Sequence, residues 1–217
     1  MKPASAATKR RRAGRPVVTT PDQLLERLVQ AAIALLREQG ADADLSVAQI
    51  AARAKVSKRT VYTVVQGKEE LLAHVIRRDV EAVAARLDAP VASVQEAQAM
   101  LARFLAEWAD LACGPVAVGI FVMAICERSR FPAIGATYQR ARAEHGLDKL
   151  AAWLAHMDEQ KFLAVAQPRL TAEFILAMLA SERQRTLALG LDAPQPAAEL
   201  ALRITAIMGF LSLGHFP

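Results

Sequence analysis

The sequence predicts an all-α protein: an N-terminal three-helix unit of helix-turn-helix type, then a larger helical domain. Three observations carry this. The chain of 217 residues is 53% hydrophobic but only 5% aromatic, and Ala and Leu dominate it, which favours helices over strands. Apolar residues return at helical spacing in segment after segment, and none sustains a period of two. Helix-start signals, a Ser or Thr followed three residues later by Gln or Glu, stand at Thr20–Gln23, Ser46–Gln49 and Ser93–Glu96.

Residues 1–18 read as a disordered tail. They hold six basic residues and no acid, with two prolines and a glycine, too little apolar surface to fold. Order is expected from Thr20, where Pro21 suits a first helical position. The helix that follows places Leu24, Leu25, Leu28, Ala32, Leu35 and Leu36 on one stripe and stops at Gly40. A short second helix from Ser46 carries Val47, Ile50, Ala51 and Ala54 on one face. Lys55-Val56 forms a corner, and Ser57 caps a third helix with Val61 and Val65 inward. These elements make residues 19–67 one unit.

Residues 68–217 form the larger domain. Lys68-Glu69-Glu70 opens a helix to about Arg86, its acids suited to the positive helix end. Asp88-Ala89-Pro90 breaks the chain. Helices are expected from Ser93 to about Leu111, from after Gly114-Pro115 to near Glu127, and from about Ile134 to His156. Two more span roughly Thr171–Leu189 and Ala197–Leu213. No internal repeat is evident.

Charge is unevenly placed. Residues 1–68 carry a balance of +8 and residues 69–217 one of −3, within a net +5. A polyanion is therefore expected to dock on the N-terminal third. The segment SVAQIAARAKVSKRTVYTVVQGK, Ser46 to Lys68, is where it would be read. It joins two short helices by a tight corner and tips the second with Lys58, Arg59, Thr60, Tyr62 and Thr63, an arrangement that fits a DNA major groove. Lys58, Arg59 and Thr63 are candidates for base edges, since Lys and Arg donate to guanine and threonine meets a thymine methyl. Tyr62 suits a phosphate through its hydroxyl, or packs on the first helix. Thr60 and Ser46 suit phosphates. Lys68 opens a helix, where its ammonium and the first amides can share one phosphate. Arg10, Arg11, Arg12 and Arg15 would enter an adjacent minor groove or tether phosphates.

From about Leu24 to Arg77 the sequence resembles the TetR family of bacterial regulators. The resemblance rests on LLERLVQAAIALLREQG, SVAQIAARAKVSKRTVY and GKEELL. ICERSRFPAI further on is similar to the effector-binding half of such proteins. The chain departs from the family pattern in having Lys55 where a corner glycine is frequent, Val64-Val65 where an aromatic is usual, and Gln66-Gly67 where Pro-Ser is common. The resemblance implies an all-helical homodimer. Its N-terminal helices would bind a palindromic operator in double-stranded DNA, with the matching tyrosine and lysine on the backbone. The other helices would hold a ligand pocket and the dimer face. A small molecule in that pocket would spread the two heads and release the operator, as in a repressor.

Such a regulator needs an input, and an apolar pocket between helices is its natural place. Phe104, Trp108, Phe121, Met123, Phe174 and Met178 are the candidate lining, although each suits ordinary core as well. Few charges interrupt these stretches, so the expected effector is hydrophobic or aromatic. Leu176, Leu179, Leu187, Ile204, Ile207 and Phe210 are the candidate dimer face, or intramolecular core.

No metal and no cofactor is expected. His145 and His156 return to one helix face but about 16 Å apart at 1.5 Å per residue. Cys113 and Cys126 have neither a disulfide framework nor metal-ligand spacing. No phosphate-cradling glycine loop, zinc-protease motif or nucleophile elbow is present, so no enzyme activity is expected. The longest uncharged stretch, Leu111 to Cys126, has 16 residues, short of the ~20 that cross a bilayer. It is expected as a buried helix, and the protein as cytoplasmic. The alternative function is an architectural DNA-binding protein without a ligand response.

Deleting residues 1–16 is expected to weaken DNA binding and flatten its dependence on salt, because fewer counterions are released. A titration series at several salt concentrations measures the slope; an unchanged slope contradicts a role for the tail.

Overall fold

The computed structural model describes residues 20–40, 44–191 and 197–212. The expected basic tail, with Arg12 and Arg15, lies outside them, as do His215 and part of the loop before the last helix. Among the described residues the secondary structure is helical, without strands.

Helix α1 (Pro21–Gln39) begins in a capping box between Thr20 and Gln23 and buries Leu24, Leu28, Val29, Ala32, Ile33 and Leu36. Leu25 and Leu35 are only half-buried. Helix α2 (Val47–Arg53) begins in a second capping box, Ser46 with Gln49, and α3 (Lys58–Val61) is capped by Ser57. A four-residue helix cannot stand alone. Val61 and Val65, both almost fully buried, anchor α3 in the core.

The corner between α2 and α3 is a Schellman motif. The amide of Lys55 donates to Ala52 O at 3.1 Å, and that of Val56 to Ala51 O at 2.9 Å. This geometry needs a left-handed residue, and Lys55 supplies it at φ 55°. Arg27 of α1 donates to the Ala54 carbonyl at 2.6 Å, satisfying a group that the end of α2 leaves open. Arg53 pairs with Glu38 on the outside of the same junction.

Helix α4 (Lys68–Ala84) leaves this unit and enters the larger body, ending in a tight turn at Ala85–Asp88. Arg78 on α4 donates to Glu26 on α1 at 2.7 Å. Next come α5 (Val94–Ala112) and α6 (Pro115–Cys126). At the start of α5 the Ser93 hydroxyl accepts from the Glu96 amide, but the Glu96 side chain reaches back to Ala92 N at 2.8 Å. Helix α6 is apolar all round because it packs against α1, α5, α7 and α10. No single helix among the described residues is long and apolar enough to cross a membrane. Together α5 and α6 reach that composition, bent by 53°, and their apolar residues Leu101, Phe104, Leu105, Val118 and Ile120 are core.

The expected long helix from Ile134 to His156 is two helices, α7 (Ala133–Arg142) and α8 (Asp148–Glu159), joined through a π turn at Ala143–Leu147. Trp108 lies against this turn. A Cβ on Gly146 would lie 2.2 Å from Trp108 Cη2, so a widened turn and a glycine together seat the indole. The expected helix Thr171–Leu189 likewise comprises α9 (Pro168–Leu176), a π turn at Ala177–Ser181 and α10 (Glu182–Ala188). Helix α11 (Ala197–Ser212) packs along α5 and the second π turn.

Lys55→Gly is expected to stabilise the fold by up to about 1 kcal/mol, since a left-handed side chain costs roughly 1–2 kcal/mol and glycine's entropy returns part of that. Urea unfolding measures it; a lower midpoint contradicts the strain at this corner.

Candidate functional site

The surface of α3 is what the preceding elements hold out. Lys58, Arg59, Tyr62 and Thr63 are all exposed. Tyr62 is 55% exposed. The Thr60 hydroxyl is within 2.8 Å of Ser57 Oγ, and Thr63 Oγ1 donates to the Thr60 carbonyl at 2.6 Å. Those bonds fix both threonines and leave the Thr63 methyl as the group that can meet a base. The Ser46 hydroxyl is engaged with Gln49 in its capping box, which limits what it offers a phosphate.

Lys68 requires a correction. Its side chain is turned inward, 8% exposed, and its ammonium donates to Glu127 Oε2 at 2.5 Å. It also stands 4.7 Å from the centroid of the Phe131 ring. An ammonium at this depth needs a counter-charge, and the end of α6 provides one. Lys68 therefore joins the start of α4 to the end of α6 instead of facing a phosphate. The spacing could not reveal this, because the partner is 59 residues away.

A second candidate site lies between α4, α5, α6 and α7. It is an apolar cavity of about 40 Å³ whose walls include Ile76, Val80, Trp108, Val116 and Ile120. Of the residues expected to line a pocket, only Trp108 does so here. Phe104 is fully buried behind it, with ring centroids 5.7 Å apart. Met123 is buried core, and Phe121 packs on Tyr138 at 5.9 Å. Phe174 and Met178 need correcting: they are 43% and 37% exposed, four residues apart on the outer side of a helix whose inner side already carries Ile175 and Leu179. The dimer-face expectation is corrected the same way. Leu176, Leu179 and Ile207 are buried within the protomer, whereas Phe210 is exposed.

Three polar groups at the cavity escaped the sequence analysis: Asp79, Tyr138 and Arg142. Burial pushes the Asp79 carboxyl above its ordinary range, against the pull of Arg78 and Arg37. Burial also pushes the Tyr138 phenol up, opposed by a hydrogen bond from Gln184. Their only sequence signal is that Tyr138 and Arg142 sit four residues apart, on one helix face. Among the described residues no group of three or more His, Cys, Asp or Glu could hold a metal ion.

Glu127→Ala is expected to destabilise the protein by about 2–3 kcal/mol, because Lys68 stays buried without its partner. Combining Lys68→Met with Glu127→Leu should recover most of that loss. Thermal and urea unfolding of the three proteins decides it; equal losses in single and double variants would remove the argument for a buried pair.

Comparison with known proteins follows the same two-part division of the chain. The family model described as bacterial regulatory proteins of the tetR family matches residues 28–75. The model for the C-terminal domain of AefR-like transcriptional repressors matches residues 98–211. Among curated proteins no sequence matches. A solved structure from Mesorhizobium loti, described as a TetR-family transcriptional regulator, is 21% identical, with 89% of this chain and 96% of that one covered and a TM-score of 0.69. A TetR family transcriptional regulator from Pseudomonas syringae pv. tomato is 25% identical, over 88% and 95% of the two chains, with a TM-score of 0.58. The flavonoid-responsive regulator FrrA is 24% identical, over 88% and 95%, with a TM-score of 0.61. With more than half its length matched by the two models, one for each part, the chain belongs to the TetR family of bacterial transcriptional regulators.

Proposed function

We propose that this protein is a dimeric repressor that grips a palindromic operator with α3 and lets go when a small apolar molecule enters the larger domain. The observation that carries the reading is the outer face of α3. Lys58 and Arg59 on α3, and Tyr62 and Thr63 in the turn that follows it, are all exposed, while Val61 and Val65 hold the other side in the core. A major groove accepts such a helix, and base edges are then within reach of Arg59 and Lys58, with Tyr62 beside the backbone. Residues 19–67 act as the DNA-binding unit and residues 68–217 as the effector and dimer unit. A cytoplasmic location accompanies this reading, since the operator is there.

Two features support the ligand and dimer parts. The cavity beside Trp108 touches α4, the helix that also carries Lys68 at the edge of the DNA-binding unit. A change in cavity size therefore has a rigid element through which to reach α3. On the far side, Phe174, Met178, Leu202 and Phe210 are exposed on α9, α11 and the turn between α9 and α10. Those side chains suit a two-fold helical interface better than solvent. FrrA is named as responsive to flavonoids, which agrees with an apolar effector in a fold of this kind.

Selection of bound sequences from a random DNA pool should return inverted half-sites about one helical turn apart or a multiple of it. Arg59→Ala should then weaken binding to the selected site by about 1–3 kcal/mol and relax one base position, with an unchanged circular dichroism spectrum because the side chain is exposed. Recovery of no preferred sequence, or an Arg59→Ala variant equal to the wild type, would defeat the assignment of α3.

A further inference from the structure

Lys55 stands at the corner between α2 and α3 with its side chain exposed. Among the described residues its ammonium has no hydrogen-bond or ion-pair partner; only its backbone amide is engaged. Two arginines at the same junction are already occupied, Arg53 with Glu38 and Arg27 with the Ala54 carbonyl. Lys68 is occupied too, by Glu127. Lys55, Lys58 and Arg59 are the cations here that remain for a polyanion.

The corner holds Lys55 on a fixed backbone. The amides of Lys55 and Val56 are bonded back into α2, Arg27 grips the carbonyl just before Lys55, and Val56 packs against the core. The φ of 55° is strained for any residue with a Cβ, and glycine would adopt it freely. Residues kept under such strain cluster at functional sites. Lys161 shares the conformation at φ 62°, just beyond the end of α8, so strain alone marks nothing and position decides. In a docked helix-turn-helix the start of the second helix meets base edges, while the first helix crosses the sugar-phosphate backbone. The corner that joins them therefore sits on the rim of the groove. Lys55 precedes Lys58, the first residue of α3, by three positions. Its ammonium is a point charge on a flexible stem, suited to a phosphate oxygen more than to the paired acceptors of a base.

We infer that Lys55 is a further DNA-binding residue, its ammonium held by a backbone phosphate at the rim of the groove that α3 enters. The inference rests on the operator-binding reading above and adds a phosphate contact to it. It also accounts for a lysine at a corner where glycine is the less strained residue.

The test is operator binding by the full chain between about 50 and 200 mM salt, comparing wild type with Lys55→Gly, Lys55→Asn and Lys55→Arg. Glycine and asparagine both accept a left-handed corner, so the charge is removed twice without disturbing the turn, and urea midpoints verify that the head stays folded. Each phosphate contact adds about 0.9 to the slope of log K against log salt. The glycine and asparagine variants should therefore bind more weakly, with slopes shallower by about 0.9 per half-site, and the wild-type advantage should shrink about threefold per half-site across that range. Lys55→Arg keeps the charge and should keep the slope. A phosphate carries no sequence, so the loss should be the same factor on the selected operator and on a scrambled duplex of equal length, in contrast to Arg59→Ala. Affinity and slope equal to wild type in both neutral variants, or a loss confined to the operator, would overturn the inference. Wild type that binds the operator, with Arg59→Ala weakened and the Lys55 variants unaffected, sinks this inference alone. Wild type that ignores every duplex at low salt sinks the DNA-binding reading and this contact with it.

Discussion

A helix of four residues has no stability of its own, and that constraint organises the N-terminal unit. Helix α3 spans only Lys58–Val61, less than the length at which a helix persists in water. It exists because Val61 and Val65 are locked into the core beneath it, because Ser57 caps its start, and because a Schellman corner sets its direction. The Arg27 bond to Ala54 O and the ion pairs Arg53–Glu38 and Arg78–Glu26 brace the surrounding helices. Exposed pairs of this sort add little energy each; their contribution is orientation. A helix this short takes its angle from what holds it, so its neighbours matter as much as its own residues.

The same logic runs onward through α4. One end of α4 is tied to α6 by the Lys68–Glu127 pair under Phe131, and its middle forms a wall of the Trp108 cavity. Helix α6 also packs on α1. The N-terminal helices and the larger body are thus joined by packed helices and a buried charge pair, contacts that resist small deformations and give way to discrete ones. A fold built like this can pass a local change in the body to the head without any flexible linker.

Much of the local architecture was legible in the chain. Capping boxes at Thr20 and Ser46 marked the helix starts correctly, since their hydrogen bonds span only three residues. The apolar stripe of α2 and the inward valines of α3 followed from helical periodicity. Lys55 was recognisable as a corner residue, and its positive φ follows from the turn it makes. The π turns were not legible; the one at Ala143–Leu147 lies against Trp108, a residue more than thirty positions earlier, which local spacing does not register. Apolar type alone likewise could not separate Phe104, fully buried, from Phe174, partly exposed on the outer side. Nor could it tell Leu176 in the core from Leu202 at the surface.

The sequence by itself determined the helical class, the position of the helix-turn-helix and the cationic character of α3. Those properties depend on neighbours within one or two turns, where spacing is geometry. Tertiary structure alone decided that Lys68 faces Glu127 instead of a phosphate, that Tyr138 and Arg142 meet Trp108 at one cavity, and which apolar side chains remain outside. Each depends on pairs far apart in the chain, and a helix's residue pattern states which side is apolar without stating what that side will meet.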